Sequence, residues 1–170
     1  MRGRAPRMAI RRADESDAPA IAEVRNAAAA ALTAAHGHGH WSSRTRPESV
    51  ARGFSRAQVL VAVRGTSVAG TLTLQAKKPW AIDVAYFTPV PRALYLIDMA
   101  VDPKFQRRGI GRRLLEAAEE AARTLPAQAL RLDAYDGLAG AGGFYARAGM
   151  REVGRVSYRG VPLVYFERLL

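Results

Sequence analysis

The segment ALYLIDMAVDPKFQRRGIGRRLLEAAEEAART, residues 93–124, carries the clearest structural signals in the chain. Residues 93–101 are almost entirely apolar apart from Asp98, which predicts a central strand covered on both faces. Asp102-Pro103 ends this strand, and a helix follows over residues 111–124 with an apolar stripe and a charged face. The stripe comprises Leu114, Ala118, Ala121, Ala122 and Leu125, and the solvent face comprises Arg112, Arg113, Glu116, Glu119, Glu120 and Arg123.

The flanking sequence adds six strands and three helices. We predict strands at residues 8–12, 58–64, 68–75, 129–135, 150–158 and 162–169. The helices run from the capping residues 14–17 to about residue 35, and over 47–54 and 144–148. Residues 77–92 are predicted to form an extended loop or an edge hairpin. The order β-α-α-β-β-β-α-β-α-β-β predicts an α/β (α+β) fold, with a mixed sheet flanked by helices.

Length and composition set the organisation of the chain. Its 170 residues suit one domain, expected over residues 8–170 after a basic arm at 1–7 with Arg2, Arg4 and Arg7. The absence of cysteine excludes disulfides, Fe–S clusters and cysteine-type zinc sites. No secretory leader is visible, and no apolar run approaches the roughly 20 residues of a membrane span, so we expect a cytoplasmic protein with no membrane partner.

The formal net charge is +11, and arginine supplies most of the positive charge. The planar guanidinium group matches phosphate oxygens, so a polyphosphate ligand and a nucleic acid would both fit. A genome-wide preference for arginine explains the charge equally well. No motif of a nucleic-acid-binding module is present, and we expect no specific nucleic-acid partner.

The turn between the predicted strand and helix, QRRGIGRR at residues 106–113, has the features of an anion site. A helix start presents about four N–H groups without intrahelical acceptors and a partial positive charge. Gly109 and Gly111 let phosphate oxygens approach the backbone, and arginines add charge beside them. The alternative is an ordinary helix start with solvated arginines. The turn is not a P-loop, because the Gly-Lys-Ser/Thr that ends that motif is absent. It is not a dinucleotide-binding fingerprint either, because Leu114 occupies the position of the required third glycine.

This turn resembles the phosphate loop of the GCN5-related N-acetyltransferase (GNAT) superfamily, Gln/Arg-x-x-Gly-x-Gly/Ala, which Gln106, Gly109 and Gly111 match. Residues 95–103 resemble the family's fourth strand, and residues 144–150 (FYARAGM) resemble its F/L-Y-x-x-x-G-F segment, with Met150 in place of the common Phe. The resemblance covers about residues 93–152. It implies a mostly antiparallel GNAT-like sheet and an N-acetyltransferase that uses acetyl-CoA as donor.

The resemblance also implies roles for individual residues. Tyr145 would stabilise the departing CoA thiolate and act as general acid; the alternative is that it packs in the core beside Phe144. Asp98 is a candidate base for the acceptor amine, and the competing account is a structural salt bridge to an arginine. The implied cofactor-binding residues are Met99, Ala100, Val101, Gln106, Arg107, Arg108, Gly109, Ile110, Gly111 and Arg112.

Strand alternation would place Asp98 and Ala100 on one face and Met99 and Val101 on the other. The backbone of Met99 and Val101 would then bind the pantetheine amides. Many relatives carry an Asn six residues before the tyrosine, where this chain has Ala139, and Asp136 is a candidate to replace its contact.

The acceptor is an amine that the sequence does not identify. Trp41, Trp80, Tyr86 and Phe87 are candidates for the acceptor side, with satellite core packing as the alternative. His36, His38 and His40 lie in a predicted loop without neighbouring Cys or carboxylates, so we expect no metal site. A homodimer is a family-level expectation. The rival functions are a nucleic-acid-binding protein and an acyl-CoA sensor of the same fold without turnover.

Overall fold

The predicted element order is confirmed in the computed structural model, which describes residues 8–170. The basic arm predicted at residues 1–7 lies outside the described residues. The strands are β1 (Met8–Arg12), β2 (Gln58–Arg64), β3 (Ser67–Gln75), β4 (Ala93–Val101), β5 (Ala129–Tyr135), β6 (Arg151–Tyr158) and β7 (Val161–Leu169). The helices are α1 (Ala18–His36), α2 (Pro47–Gly53), α3 (Ile110–Thr124) and α4 (Gly142–Arg147).

The strands form a seven-stranded mixed sheet in the order β1-β2-β3-β4-β5-β7-β6. β1 pairs antiparallel with β2, and β7 pairs antiparallel with both β5 and β6. β4 and β5 are parallel, with a register from Ala93 opposite Ala129 to Tyr95 opposite Arg131. The α/β class and the mostly antiparallel sheet are therefore confirmed.

The chain divides into two compact units. The first holds the described residues up to Thr73 together with Asp98–Ala117, and the second holds Leu74–Ile97 and Ala118–Leu170. The expectation of a single domain over residues 8–170 stays a prediction.

In the first unit, α1 and α2 pack on β2 through a small apolar core. Ile21 and Val61 are fully buried there, and Val50 and Val59 are nearly so. Asp14 caps a 3-10 turn, Glu15–Asp17, that precedes α1, and Asp17 occupies the N-cap position of α1 without a side-chain capping hydrogen bond. Burial of these apolar side chains holds α1 against the sheet.

In the second unit, the segment before β4 packs on β7. The predicted alternatives for residues 77–92 resolve to a loop with one 3-10 turn, Val84–Tyr86. Ile82 and Phe87 from this loop are buried with Tyr95, Leu163 and Tyr165. The aromatic and apolar residues of the loop therefore anchor it.

Two predictions for α3 and its end are wrong. Glu119 was placed on the solvent face, but it is buried, and its carboxylate lies 2.8 Å from Arg168 Nη1 of β7. Leu125 was placed on the apolar stripe, but it lies beyond the end of the helix and is exposed. Helical spacing puts Glu119 beside the buried residues Leu115 and Ala122. Its burial is tolerated because Arg168 of β7, which is remote in the sequence, supplies the opposite charge.

The prediction that β4 is covered on both faces holds only for its first part. Leu94, Tyr95 and Leu96 are buried, whereas Asp98 is exposed and Met99 is half-buried. The strand is fourth of seven, as a central strand should be. Its second part is the segment that carries candidate functional residues.

Candidate functional site

The turn between β4 and α3 has the geometry that an anion-binding loop requires. Asp102 accepts a hydrogen bond from Lys104 N (2.9 Å) and caps a 3-10 turn, Pro103–Phe105. Arg107 and Gly109 adopt left-handed backbone angles, with φ of 57° and 75°, and α3 begins at Ile110. Apart from its two chain neighbours, no described residue lies within 4 Å of the place where a Cβ on Gly109 would stand. The backbone at Gly109 is therefore open to a ligand atom.

The amides of the first turn of α3 are the donors of this loop. Arg113 N donates to Gly109 O (3.1 Å), so the N–H groups of Ile110, Gly111 and Arg112 precede the first helical bond. These N–H groups lack an intrahelical acceptor, and together with the helix dipole they favour a negative charge at this end.

The side chains of the loop divide into those that brace it and those that face solvent. Gln106 donates from Nε2 to Val101 O (3.1 Å), which fixes the loop to the end of β4. Arg108 lies over the Phe105 ring, and Arg112 pairs with Glu116 (3.2 Å). Arg107 and Arg108 are exposed. The loop can therefore present arginine charge beside the helix amides.

A glycine in β3 determines how closely the first turn of α3 approaches the sheet. A Cβ on Gly70 would lie 3.0 Å from Leu114 Cδ1, 3.1 Å from Ile110 Cγ2 and 3.2 Å from Ala100 O. Ile110 is buried in this contact. The missing side chain at Gly70 lets the helix start sit close to β3 and β4.

Asp98 differs from its prediction as an isolated carboxylate in an apolar strand. Its side chain is 52% exposed, and Oδ2 lies 3.4 Å from Nη1 of Arg25. Its φ is 52°, a left-handed conformation that costs roughly 1–2 kcal/mol in a residue other than glycine. A residue in this conformation is not extended, so the regular alternation predicted for residues 98–101 is wrong at Asp98.

Sequence analysis missed Arg25. Its side chain is 14% exposed, Nη2 donates to Thr73 Oγ1 (3.1 Å), and Nε is buried with no hydrogen-bond partner among residues 8–170. Burial lowers the pKa of the guanidinium group, and the charge of Asp98 partly offsets this. The signal was available, because Arg25 is four residues after Ile21 and three before Ala28, which places it at the edge of the apolar face of α1.

Tyr145 lies on α4 in the second unit and is 6% exposed. Its ring packs against Phe144 and Phe166, with centroids 5.1 and 5.8 Å away. Burial raises the pKa of the phenol well above its usual value, and the charge of Asp133 raises it further. The hydroxyl is therefore a protonated donor at neutral pH. The packing agrees with the core account, and the protonated hydroxyl is what thiolate stabilisation needs.

A buried charge network, which sequence analysis also missed, holds the loop before β4. Glu167 is fully buried, with Arg131 Nε 3.4 Å and Arg151 Nη2 2.8 Å from its carboxylate. Thr88 donates to Glu167 from N (3.1 Å) and Oγ1 (2.7 Å). Burial alone would raise the pKa of Glu167, but the hydrogen bonds from Thr88 and Arg151 and the charge of Arg131 outweigh it and hold the pKa below its usual value.

The four acceptor-side candidates have different surroundings. In the first unit, Trp41 donates from Nε1 to Gly37 O (3.2 Å). In the second, Trp80 is 82% exposed, and Tyr86 packs on Tyr165. Phe87 is buried against the Tyr165 ring and the Arg131 guanidinium group, as the alternative of satellite core packing describes.

One cavity in the second unit adjoins the loop before β4. It has a volume of ≈ 490 Å³ and is lined by Asp83, Val84, Ala85, Phe87, Pro89, Val90 and Arg131. A cavity of ≈ 540 Å³ in the first unit is lined by α1 residues together with His38, Ser42, Ser43 and Arg44. Both are large enough for a small molecule.

Other predicted features have simple local roles. Asp136, considered as a replacement for the missing Asn, pairs with Arg155 (3.1 Å). His36 ends α1, and His40 begins a 3-10 turn. In residues 8–170, no cluster of three or more His, Cys, Asp or Glu side chains could hold a metal ion. The same residues include no helix with the length and apolar character needed to cross a bilayer.

Comparison with known families gives one match over most of the chain. The model of the acetyltransferase (GNAT) family matches residues 18–150, well over half of the sequence. No curated protein matches the chain.

Solved structures share the fold at low sequence identity. A ribosomal-protein-alanine N-acetyltransferase from Brucella melitensis is 23% identical, with a TM-score of 0.74 over 95% of this chain and 99% of its own. The putative acetyltransferase yncA from Salmonella typhimurium, solved with acetyl-CoA, is 21% identical, with a TM-score of 0.72 over 96% and 94% of the two chains. The PaiA N-acetyltransferase from Thermoplasma acidophilum, solved with coenzyme A, is 16% identical, with a TM-score of 0.70 over 96% and 99%.

Proposed function

The chain belongs to the acetyltransferase (GNAT) family, and we propose that it transfers an acetyl group from acetyl-CoA to the amine of a small-molecule acceptor. The observation that carries this proposal is the turn from Gln106 to Gly111. It combines a left-handed Gly109 with open space, the amides of a helix start and exposed arginines. Those are the features that bind a diphosphate, which is the charged part of CoA.

The proposed roles follow the donor molecule from its phosphates to its thioester. The amides of Ile110, Gly111 and Arg112, with Arg107 and Arg108, hold the diphosphate. The backbone of Met99, Ala100 and Val101 holds the pantetheine arm, and Gln106 keeps the loop in place through Val101 O. Binding at these points orients the thioester and reduces the entropy lost in reaching the transition state.

The proposed reaction forms a C–N bond, breaks the C–S bond of the thioester and removes two protons from the acceptor nitrogen. The acceptor ammonium gives one proton to Asp98, directly or through water, and the nitrogen lone pair then forms the C–N bond at the thioester carbonyl. The C–S bond breaks, and the leaving thiolate accepts a hydrogen bond or a proton from Tyr145. The second proton that the nitrogen must lose to become an amide passes to that thiolate or, where Tyr145 has donated its own proton, back to Tyr145, so that the products are the amide, the CoA thiol and the proton on Asp98. The raised pKa of Tyr145 supports hydrogen bonding as its main role, because full proton transfer from a weaker acid is uphill.

The remaining features of the proposal are broader. Trp41, Trp80, Tyr86 and Phe87 are proposed on the acceptor side, Phe87 of the loop before β4 through its packing on Tyr165. A cytoplasmic location and a homodimer belong to the same proposal, because they rest on the expected donor and on the family.

Calorimetry with acetyl-CoA and release of the CoA thiol test the proposal. We expect saturable binding, and Tyr145→Phe should lower turnover roughly 10- to 1000-fold with little loss of acetyl-CoA affinity. Tyr158→Phe, on β6, is the matched control and should leave both unchanged. Absence of acetyl-CoA binding would refute the enzyme, and binding without CoA release from any amine would favour the acyl-CoA sensor.

A further inference from the structure

Two locally unfavourable features meet at the contact between α1 and β4. Asp98 has a left-handed backbone although it is not glycine, and Arg25 is a largely buried cation whose Nε has no hydrogen-bond partner in the described chain. Strained backbone and incompletely paired buried charge are both uncommon in a core, and they concentrate at functional sites. Their coincidence at one ion pair needs an explanation.

A purely structural ion pair in the same unit has a different geometry. Arg11 contacts Asp17 with two hydrogen bonds of 2.7 and 2.8 Å, and the Asp17 side chain is 9% exposed. The Arg25–Asp98 contact is longer, at 3.4 Å, and the carboxylate is 52% exposed. The first pair is closed on itself, whereas the second leaves most of its carboxylate accessible.

The guanidinium group of Arg25 is well placed to orient that carboxylate. Thr73 Oγ1 accepts from Nη2 and holds one side of the planar group, while Nη1 faces Asp98 Oδ2. Because the guanidinium is rigid and planar, fixing one nitrogen fixes the direction of the others. The carboxylate is held through one oxygen, and its exposed part is available to a ligand.

We propose that Arg25 is a positioning residue that holds the Asp98 carboxylate in place for the ammonium group of the acceptor. This inference rests on the proposed function, and it adds a residue from α1 and a binding group for the acceptor. A second effect has the same origin: a cation close to the bound amine disfavours its ammonium form and favours the free amine that attacks.

The kinetic test replaces Arg25 with a neutral side chain of similar length. The probes are n-butylamine, L-alanine amide and spermidine, each with acetyl-CoA, and the amine that releases most CoA is used. Arg25→Met should lower kcat/KM for the amine roughly ten- to a hundredfold, with KM for acetyl-CoA unchanged. Arg25→Lys should recover part of the loss, because it keeps the charge.

Arg11→Met is the matched control and should show the opposite pattern. It removes the tighter pair, so we expect a lower unfolding midpoint and unchanged amine kinetics. For Arg25→Met we expect an unchanged or higher midpoint, because an apolar side chain takes the place of a poorly paired buried charge and the half-exposed Asp98 carboxylate left behind is solvated by water. Unchanged amine kinetics in Arg25→Met, or a loss that follows the unfolded fraction, would overturn the proposal.

A second measurement does not need turnover. The side-chain carboxyl ¹³C resonance of Asp98, assigned by its loss in Asp98→Asn, is followed during titration with n-butylammonium chloride, with sodium chloride as the reference. We expect a saturable shift in the wild-type protein and none in Arg25→Met. Absence of a shift in the wild type overturns the positioning role even if acetyl-CoA binds, whereas absence of acetyl-CoA binding refutes the proposed function itself.

Discussion

Arg25 and Arg131 are two buried arginines with similar first contacts and different surroundings. Each has a guanidinium nitrogen 3.4 Å from a carboxylate, and each has a buried Nε with no hydrogen-bond partner within residues 8–170. The partner of Arg25 is Asp98, half-exposed on a left-handed backbone. The partner of Arg131 is Glu167, fully buried in β7 and also bound by Arg151 and Thr88.

This comparison distinguishes the buried charge network around Glu167 from the ion pair of Arg25 and Asp98, whose carboxylate is accessible to solvent. Glu167 accepts hydrogen bonds from two residues, Thr88 and Arg151, and pairs with Arg131, so removing either arginine or the carboxylate leaves a buried charge poorly compensated. Asp98 is largely in water, where loss of an ion-pair partner is compensated by solvent. A contact between an arginine and a carboxylate therefore stabilises the loop before β4 in one case and leaves a carboxylate exposed to solvent in the other.

The largest effect on stability should follow from breaking the buried charge network around Glu167. Glu167→Gln leaves Arg131 buried without its counter-charge, and we expect a loss of about 3–5 kcal/mol in the free energy of unfolding, measured by urea denaturation. Glu116→Gln, which breaks the exposed pair with Arg112, is the control and should change stability by less than about 0.5 kcal/mol. Equal effects of the two substitutions would contradict the distinction between the networks.

A smaller effect should appear as a dependence on pH. The pKa of Glu167 is lower in the folded protein than in the unfolded chain, so its contribution is present above the unfolded value of about 4.3 and is lost as the pH falls through the folded value. The stability difference between the wild-type protein and Glu167→Gln should therefore shrink between about pH 7 and pH 3. Asp17, whose pKa is also lowered, is present in both proteins and cancels. A difference that is constant across this range would show that Glu167 does not act through its charge.

The smallest effect on stability should come from the ion pair between Arg25 and the half-exposed Asp98. Asn tolerates a left-handed backbone as well as Asp does, so Asp98→Asn keeps the backbone and removes only the charge. We expect a change below about 1 kcal/mol in the same urea experiment, because the 3.4 Å contact with a half-exposed carboxylate is already screened by water, so that Arg25 loses little compensation. A loss as large as that of Glu167→Gln would place Asp98 among the structural residues.

The local patterns of the sequence predicted the fold well. The bounds of β2, β4 and β5 agree with the predictions to the residue, because each is a short apolar run with clear turn signals at its ends. The start of α3 next to Gly109 was also predictable, since glycine marks the left-handed residue before a helix. These features depend on neighbours in the sequence.

The features that the sequence analysis missed depend on residues remote in the chain. Arg131 and Glu167 are opposite each other only because β5 pairs with β7. The left-handed backbone of Asp98 has no composition signal, and its contact with Arg25 depends on how α1 lies against β4. Trp80 and Phe87, predicted together, differ because one side chain of the loop points to solvent and the other into the core. The roles of Tyr145 and of the loop residues stay predictions.

Because the start of α3 packs closely on Gly70, this glycine of β3 determines the direction of the backbone amides that follow Gly109. An alanine methyl at Gly70 would meet Leu114, Ile110 and the carbonyl of Ala100 at once, and two of these are fixed parts of the helix start and of β4. The placement of the helix start beside the exposed loop therefore depends on a buried glycine of β3 that lies outside the loop itself.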